Sequence, residues 1–183
     1  MTTFEFVSVL LSIVVSLAFA HLLTGIARLI QSKVARISWV YIGWMGIFLF
    51  CCVDYWFSLW QARTTALWSL GYVAFWLLLA TALYLTSWLV VPSERDTAVR
   101  VNLATFYDEN RRNFLGAFFA YIAIGLFGNL TVATLQSAAL VSIAFLGLIG
   151  AAWLWRDPRV QVSALAGSYL LLGWYAIRYV PAL

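Results

Sequence analysis

Asp54 lies within an otherwise apolar run, from Ile47 to Trp60, and it is the acidic residue that helix ends and loops do not account for. An ionised side chain near the centre of a bilayer costs roughly 2.5–3.5 kcal/mol on insertion scales, so such a group pairs, hydrogen-bonds or serves a task. Glu5, Ser8, Ser12 and Ser16 follow one another at intervals of three, four and four residues, which puts them on one face of a helix. His21 is the only histidine, and with Thr24, Gly25 and Arg28 it occupies a different face of the same segment. Arg178, near the far end of the chain, is the one basic residue placed to reach Asp54 from the same side of a membrane.

These residue types define a candidate intramembrane polar site: Asp54, Arg178, Ser8, Ser12, Ser16, Glu5 and His21. Its chemistry would be that of an ion, proton or small-solute path, with Asp54 and the serines at one end and His21 further along. The same residues also suit plain helix packing. Serines at this spacing let helices approach closely and exchange weak hydrogen bonds, and Asp54 with Arg178 could clamp two helices together. Thr2 with Glu5 also reads as a capping box opening the first helix.

Catalytic and metal chemistry finds little support. The chain holds no Gly-x-Ser-x-Gly elbow, Walker loop, His-Glu-x-x-His helix or dinucleotide fingerprint, so no catalytic residue is assigned and an enzyme is not expected. A lone histidine cannot supply bis-His haem ligation or a Glu-x-x-His metal motif. Cys51 and Cys52 are adjacent and form no CxxC pair. No cofactor and no metal site are therefore expected.

The elements that must position these residues follow from composition. Hydrophobic residues make up 64% of the chain and charged residues 10%, far below the roughly 25% charge of a soluble domain. Ten tryptophans fit two interfacial belts, because indole rings settle at headgroup level. Apolar runs predict membrane spans at roughly 5–28, 38–60, 66–91, 113–129, 133–155 and 161–180. The expected fold is therefore an all-α polytopic membrane helix bundle forming a single integral domain, with six spans, or five if the count is lower. Gly128-Asn129 supplies the expected turn between the fourth and fifth spans, since a merged helix would exceed any bilayer. Pro92 closes the third. Ser93 with Asp96, followed by Val99, Leu103, Phe106 and Tyr107 on one face, predicts a short cytoplasmic interfacial helix before the fourth.

Charge sets the orientation. Arg28, Lys33, Arg36, Arg95, Arg100, Arg111, Arg112, Arg156 and Arg159 fall in alternate loops on one side, against Arg63 and Arg178 on the other. The positive-inside rule makes the richer side cytoplasmic and puts both termini outside. Topology thus accounts for the net charge of +4, and nucleic acid is not an expected partner. The first segment lacks a positive n-region and has too long an apolar stretch for a cleaved signal, so it reads as a retained span. Three spans on either side of the polar linker would permit an inverted repeat, but the halves show no residue-level similarity.

Two functions remain. One is a channel or transporter for an ion, proton or small solute, built as a homo-oligomer in a bacterial inner (plasma) membrane with periplasmic termini. The alternative is a non-catalytic structural, assembly or sensing subunit of a membrane complex. Small residues at packing spacing, among them Gly116, Gly125, Ser142, Gly147, Gly150, Ser163, Gly167 and Gly173, fit partners in either case.

Overall fold

The computed structural model describes residues 3–31, 36–64, 68–93, 102–131 and 136–179. The fold is all-α, with helices α1 (Thr3–Gln31), α2 (Trp39–Gln61), α3 (Leu70–Val90), α4 (Leu103–Thr131), α5 (Gln136–Leu154) and α6 (Pro158–Tyr179). A 3₁₀ turn at Ala62–Thr64 extends α2. Five helices are long and apolar enough to cross a membrane, while α5 has a shorter apolar stretch, Ala139–Leu154. With hydrophobic residues at 64% of the chain, this is an integral membrane protein.

Helix starts are written into the sequence. Ser38 caps α2, its side chain accepting from the Tyr41 amide at 3.4 Å, and Ser69 caps α3, accepting from the Tyr72 amide at 3.2 Å. Asn102 caps α4 by accepting from the amides of Ala104 (3.1 Å) and Thr105 (3.3 Å). Asp157 opens α6, its Oδ1 accepting from the Arg159 amide at 2.8 Å with Pro158 in the first helical position. Each cap satisfies amides that a helix leaves open, which matters most where little water reaches. Val91, before Pro92, is extended and ends α3.

The chain divides into two compact units, Met1–Asn110 and Arg111–Leu183, and the boundary falls within α4. In the first unit α1 buries Val7, Leu11, Val15, Ala18, Leu22, Gly25 and Leu29, a stripe at helical spacing that packs on α3 and α2. Gly25 is required at the closest approach, because a Cβ there would lie 2.6 and 2.7 Å from the two Val91 methyls. Two buried tyrosines of α2 fasten it to α3. Tyr41 donates its hydroxyl to the Val90 carbonyl at 2.8 Å, and Tyr55 donates to the Trp76 carbonyl at 2.9 Å. The donors stand fourteen residues apart on α2 and the acceptors fourteen apart in reverse order on α3, so the pair sets an antiparallel register over about 21 Å.

The start of α4 also belongs to this unit. The Leu103 amide donates to the Arg36 carbonyl at 3.1 Å, Phe106 meets Tyr41 edge-on at 5.7 Å, and Leu103 and Tyr107 are buried. The predicted interfacial helix before the fourth span lies in part outside the described residues, at 94–101. Its described portion, from Leu103 on, forms the first turns of α4 and packs on protein.

In the second unit, glycines receive large rings. A Cβ added at Gly116 would meet the Trp153 indole at 3.4 Å, and one at Gly150 would meet the Phe119 ring at 3.5 Å. Phe118 lies edge-on to Phe145 at 5.7 Å. The turn expected at Gly128-Asn129 is not there, since α4 runs on to Thr131. Asn129 keeps its helical place because its side-chain amide donates to Ser142 Oγ of α5 at 3.2 Å, which removes its reason to turn the chain.

Candidate functional site

Ser8, Ser12 and Ser16 line a shallow groove together with Val9, Ile13, Leu17 and Ala20. Every lining residue comes from α1, and the groove runs along the flank that its packed stripe leaves outward. Val9, Ile13 and Leu17 form an apolar rim, each a little over half exposed. The floor is small and hydroxylated. Ser8 donates back to the Glu5 carbonyl at 3.0 Å, whereas Ser12 and Ser16 have no hydrogen-bond partner among the described residues. Such a lane resembles a helix–helix contact surface more than an aqueous path, because small residues admit a second backbone and the rim remains apolar.

The other expected site residues do not line this groove. Glu5 is exposed in the first turn of α1; its proposed partner in a capping box, Thr2, lies outside the described residues. Asp54 is half-buried on α2 and is not among the residues lining the groove. Arg178 is exposed in the last turn of α6, in the second unit, while Asp54 belongs to the first. His21 stacks on Trp88 of α3, ring centroids 4.2 Å apart and planes 20° from parallel. Its Nε2 is buried without a hydrogen-bond partner. Thr24 donates to the Ala20 carbonyl at 2.8 Å, one turn back in its own helix. The serines are thus gathered as their spacing predicts, and His21 belongs to a separate helix seam.

A polar assembly that spacing did not reveal occupies the second unit. Arg111 is 2% exposed and its guanidinium Nη1 donates to the carbonyls of Ala152 and Trp155. Gln161, 4% exposed, donates Nε2 to the same two oxygens at 2.7 and 2.5 Å. These carbonyls belong to the C-terminal end of α5, where a helix leaves acceptors open and carries its negative dipole end. Arg111 and Gln161 therefore cap α5 from α4 and α6 and tie three helices at one point. The available signal was a basic residue just before an apolar run and a glutamine one turn into α6. Neither predicts which carbonyls they reach.

Among the described residues no three His, Cys, Asp or Glu side chains gather as a metal site. Compared with known protein families, curated proteins and solved structures, the chain matches none of them. Fold and composition define a class, an integral membrane helix bundle, and functional inference rests on the side chains above.

Proposed function

We propose that this chain is a non-catalytic integral membrane protein that works within an assembly, docking through the serine groove of α1 against a helix of a partner or of a second copy. The observation that carries this reading is the groove itself: two hydroxyls without partners in a lane of small residues, on the outward flank of a helix whose other face is packed. Within a bilayer the hydrophobic effect does not drive helices together. Close backbone approach and interhelical hydrogen bonds do, and this face offers both. The positive-inside distribution supports an orientation with the Arg28 and Arg156 ends in the cytoplasm and the termini outside. The same features fit a bacterial inner membrane.

Cysteine cross-linking in native membranes tests the proposal. Ser16→Cys is expected to cross-link to a neighbouring chain, while Leu85→Cys, exposed on α3, is expected to stay unlinked. The variant Ser12→Leu/Ser16→Leu should fill the lane and reduce association without loss of helicity. Equal cross-linking at both positions, or unchanged association of the filled variant, refutes the groove as the contact.

Asp54 favours a second reading, transport of an ion, proton or small solute, because a half-buried carboxylate on a membrane-crossing helix is functional by default. Proteoliposomes would then show a flux that Asp54→Asn abolishes. Folded protein in tight vesicles with no flux across a panel of ions and protons removes this reading.

A further inference from the structure

We propose that Arg112, Arg156 and Arg159 form a binding site for the phosphate of an anionic phospholipid at the capped end of the second unit. The site is held in place by the α5 cap. Arg112 follows Arg111 in α4, and Arg156 follows Trp155, whose carbonyl Arg111 and Gln161 both grip. Arg159 lies in the first turn of α6, its amide fixed on Asp157 Oδ1 at 2.8 Å. The three arginines thus neighbour residues of one buried anchor along the chain, Arg159 standing two residues before Gln161.

Charge makes this end a receptor for an anion. Asp157 is the only acidic residue from Arg111 to the end of the chain, and one of its oxygens is engaged in capping α6. Arg112, Arg156 and Arg159 are exposed, and among the described residues their guanidinium groups make no hydrogen bond or ion pair. Asp108 and Glu109, one turn earlier on α4, are exposed and likewise take part in no ion pair among the described residues. A guanidinium fork matches phosphate oxygens in pairs, which an ammonium does not.

Depth singles out a lipid as the source of that phosphate. Trp155, 56% exposed, precedes Arg156 at the end of an apolar helix, and exposed indoles settle at headgroup level. The guanidinium groups next to it then stand where phospholipid phosphates lie. Each arginine near an anionic leaflet contributes about fivefold to binding.

The test uses the full-length chain, purified and delipidated in detergent, with bound lipid counted by native mass spectrometry. Phosphatidylglycerol is compared with phosphatidylcholine of the same acyl chains. Saturable phosphatidylglycerol binding at least about tenfold tighter than phosphatidylcholine is expected. Arg112→Gln/Arg156→Gln/Arg159→Gln should lose the preference while keeping its helical circular dichroism. Arg63→Gln should keep it, since Arg63 belongs to the first unit and lies over Trp60 at 4.7 Å. Should the triple variant misfold, Arg156→Gln alone must still weaken phosphatidylglycerol binding. Equal binding of the two lipids, or an undiminished preference in the folded variants, overturns the proposal. Displacement of phosphatidylglycerol by excess inorganic phosphate at the same occupancy would show a small-anion site and overturns it too.

Discussion

Replacing Arg111 and Gln161 singly and together should expose a coupling that neither substitution shows alone. Both side chains donate to the carbonyls of Ala152 and Trp155, Gln161 at 2.7 and 2.5 Å. A hydrogen bond to a charged group contributes about 1.5–3 kcal/mol, and a neutral one about 1 kcal/mol. Arg111→Met removes the charged donor but leaves Gln161 on both oxygens, and it also relieves the cost of burying a guanidinium. The expected loss is about 2–4 kcal/mol. Gln161→Leu leaves Arg111 in place and should cost about 1–2 kcal/mol. In the double variant both carbonyls lose both donors, and a buried polar group left unpaired costs a further 1–3 kcal/mol or about that. Stability should therefore fall below the sum of the singles by roughly that amount. Arg111→Lys should keep more stability than Arg111→Met, because both bonds come from the single nitrogen Nη1 and an ammonium can also donate twice. The measurement is reversible unfolding in mixed detergent and sodium dodecyl sulfate micelles, followed by far-ultraviolet circular dichroism. Additivity within about 0.5 kcal/mol would refute the shared-acceptor account.

Three further outcomes test the first unit. Gly25→Ala should cost about 1–3 kcal/mol in the same unfolding assay, because its Cβ meets Val91 methyls at 2.6 and 2.7 Å, and adding Val91→Ala should recover most of it. Tyr41→Phe and Tyr55→Phe should each lose about 0.6–1.7 kcal/mol, and their effects should add, since about 21 Å separates them along α2. A double variant far from that sum would argue against two independent fastenings. His21→Phe should be at least as stable as wild type, because it keeps a ring on Trp88 and removes a buried Nε2 that has no partner. A large loss there would mean that His21 has a polar role the α1–α3 seam does not display.

Legibility differed between residues for physical reasons. The serine lane could be read directly, because a helix converts spacing of three and four into a face with no help from tertiary structure. Caps at Ser38, Ser69, Asn102 and Asp157 are equally local: a short polar side chain reaches amides two or three residues on. Asn129 shows where local reasoning fails. With Gly128 it carries turn chemistry, yet a bond to Ser142 of α5 keeps it helical, and that partner is thirteen residues away.

Chain chemistry alone thus determined that this is an all-α membrane protein of six helices, five of them long and apolar enough to cross a bilayer among the described residues. Hydrocarbon demands long apolar runs and internally satisfied backbones, and both demands are met residue by residue along the chain. Tertiary structure decided what the polar residues do. It turned the serines of α1 outward, laid His21 on Trp88, and drove Arg111 into the end of α5 beside Gln161. Those outcomes depend on which helix faces which, and so on contacts between distant segments that spacing along one helix does not encode.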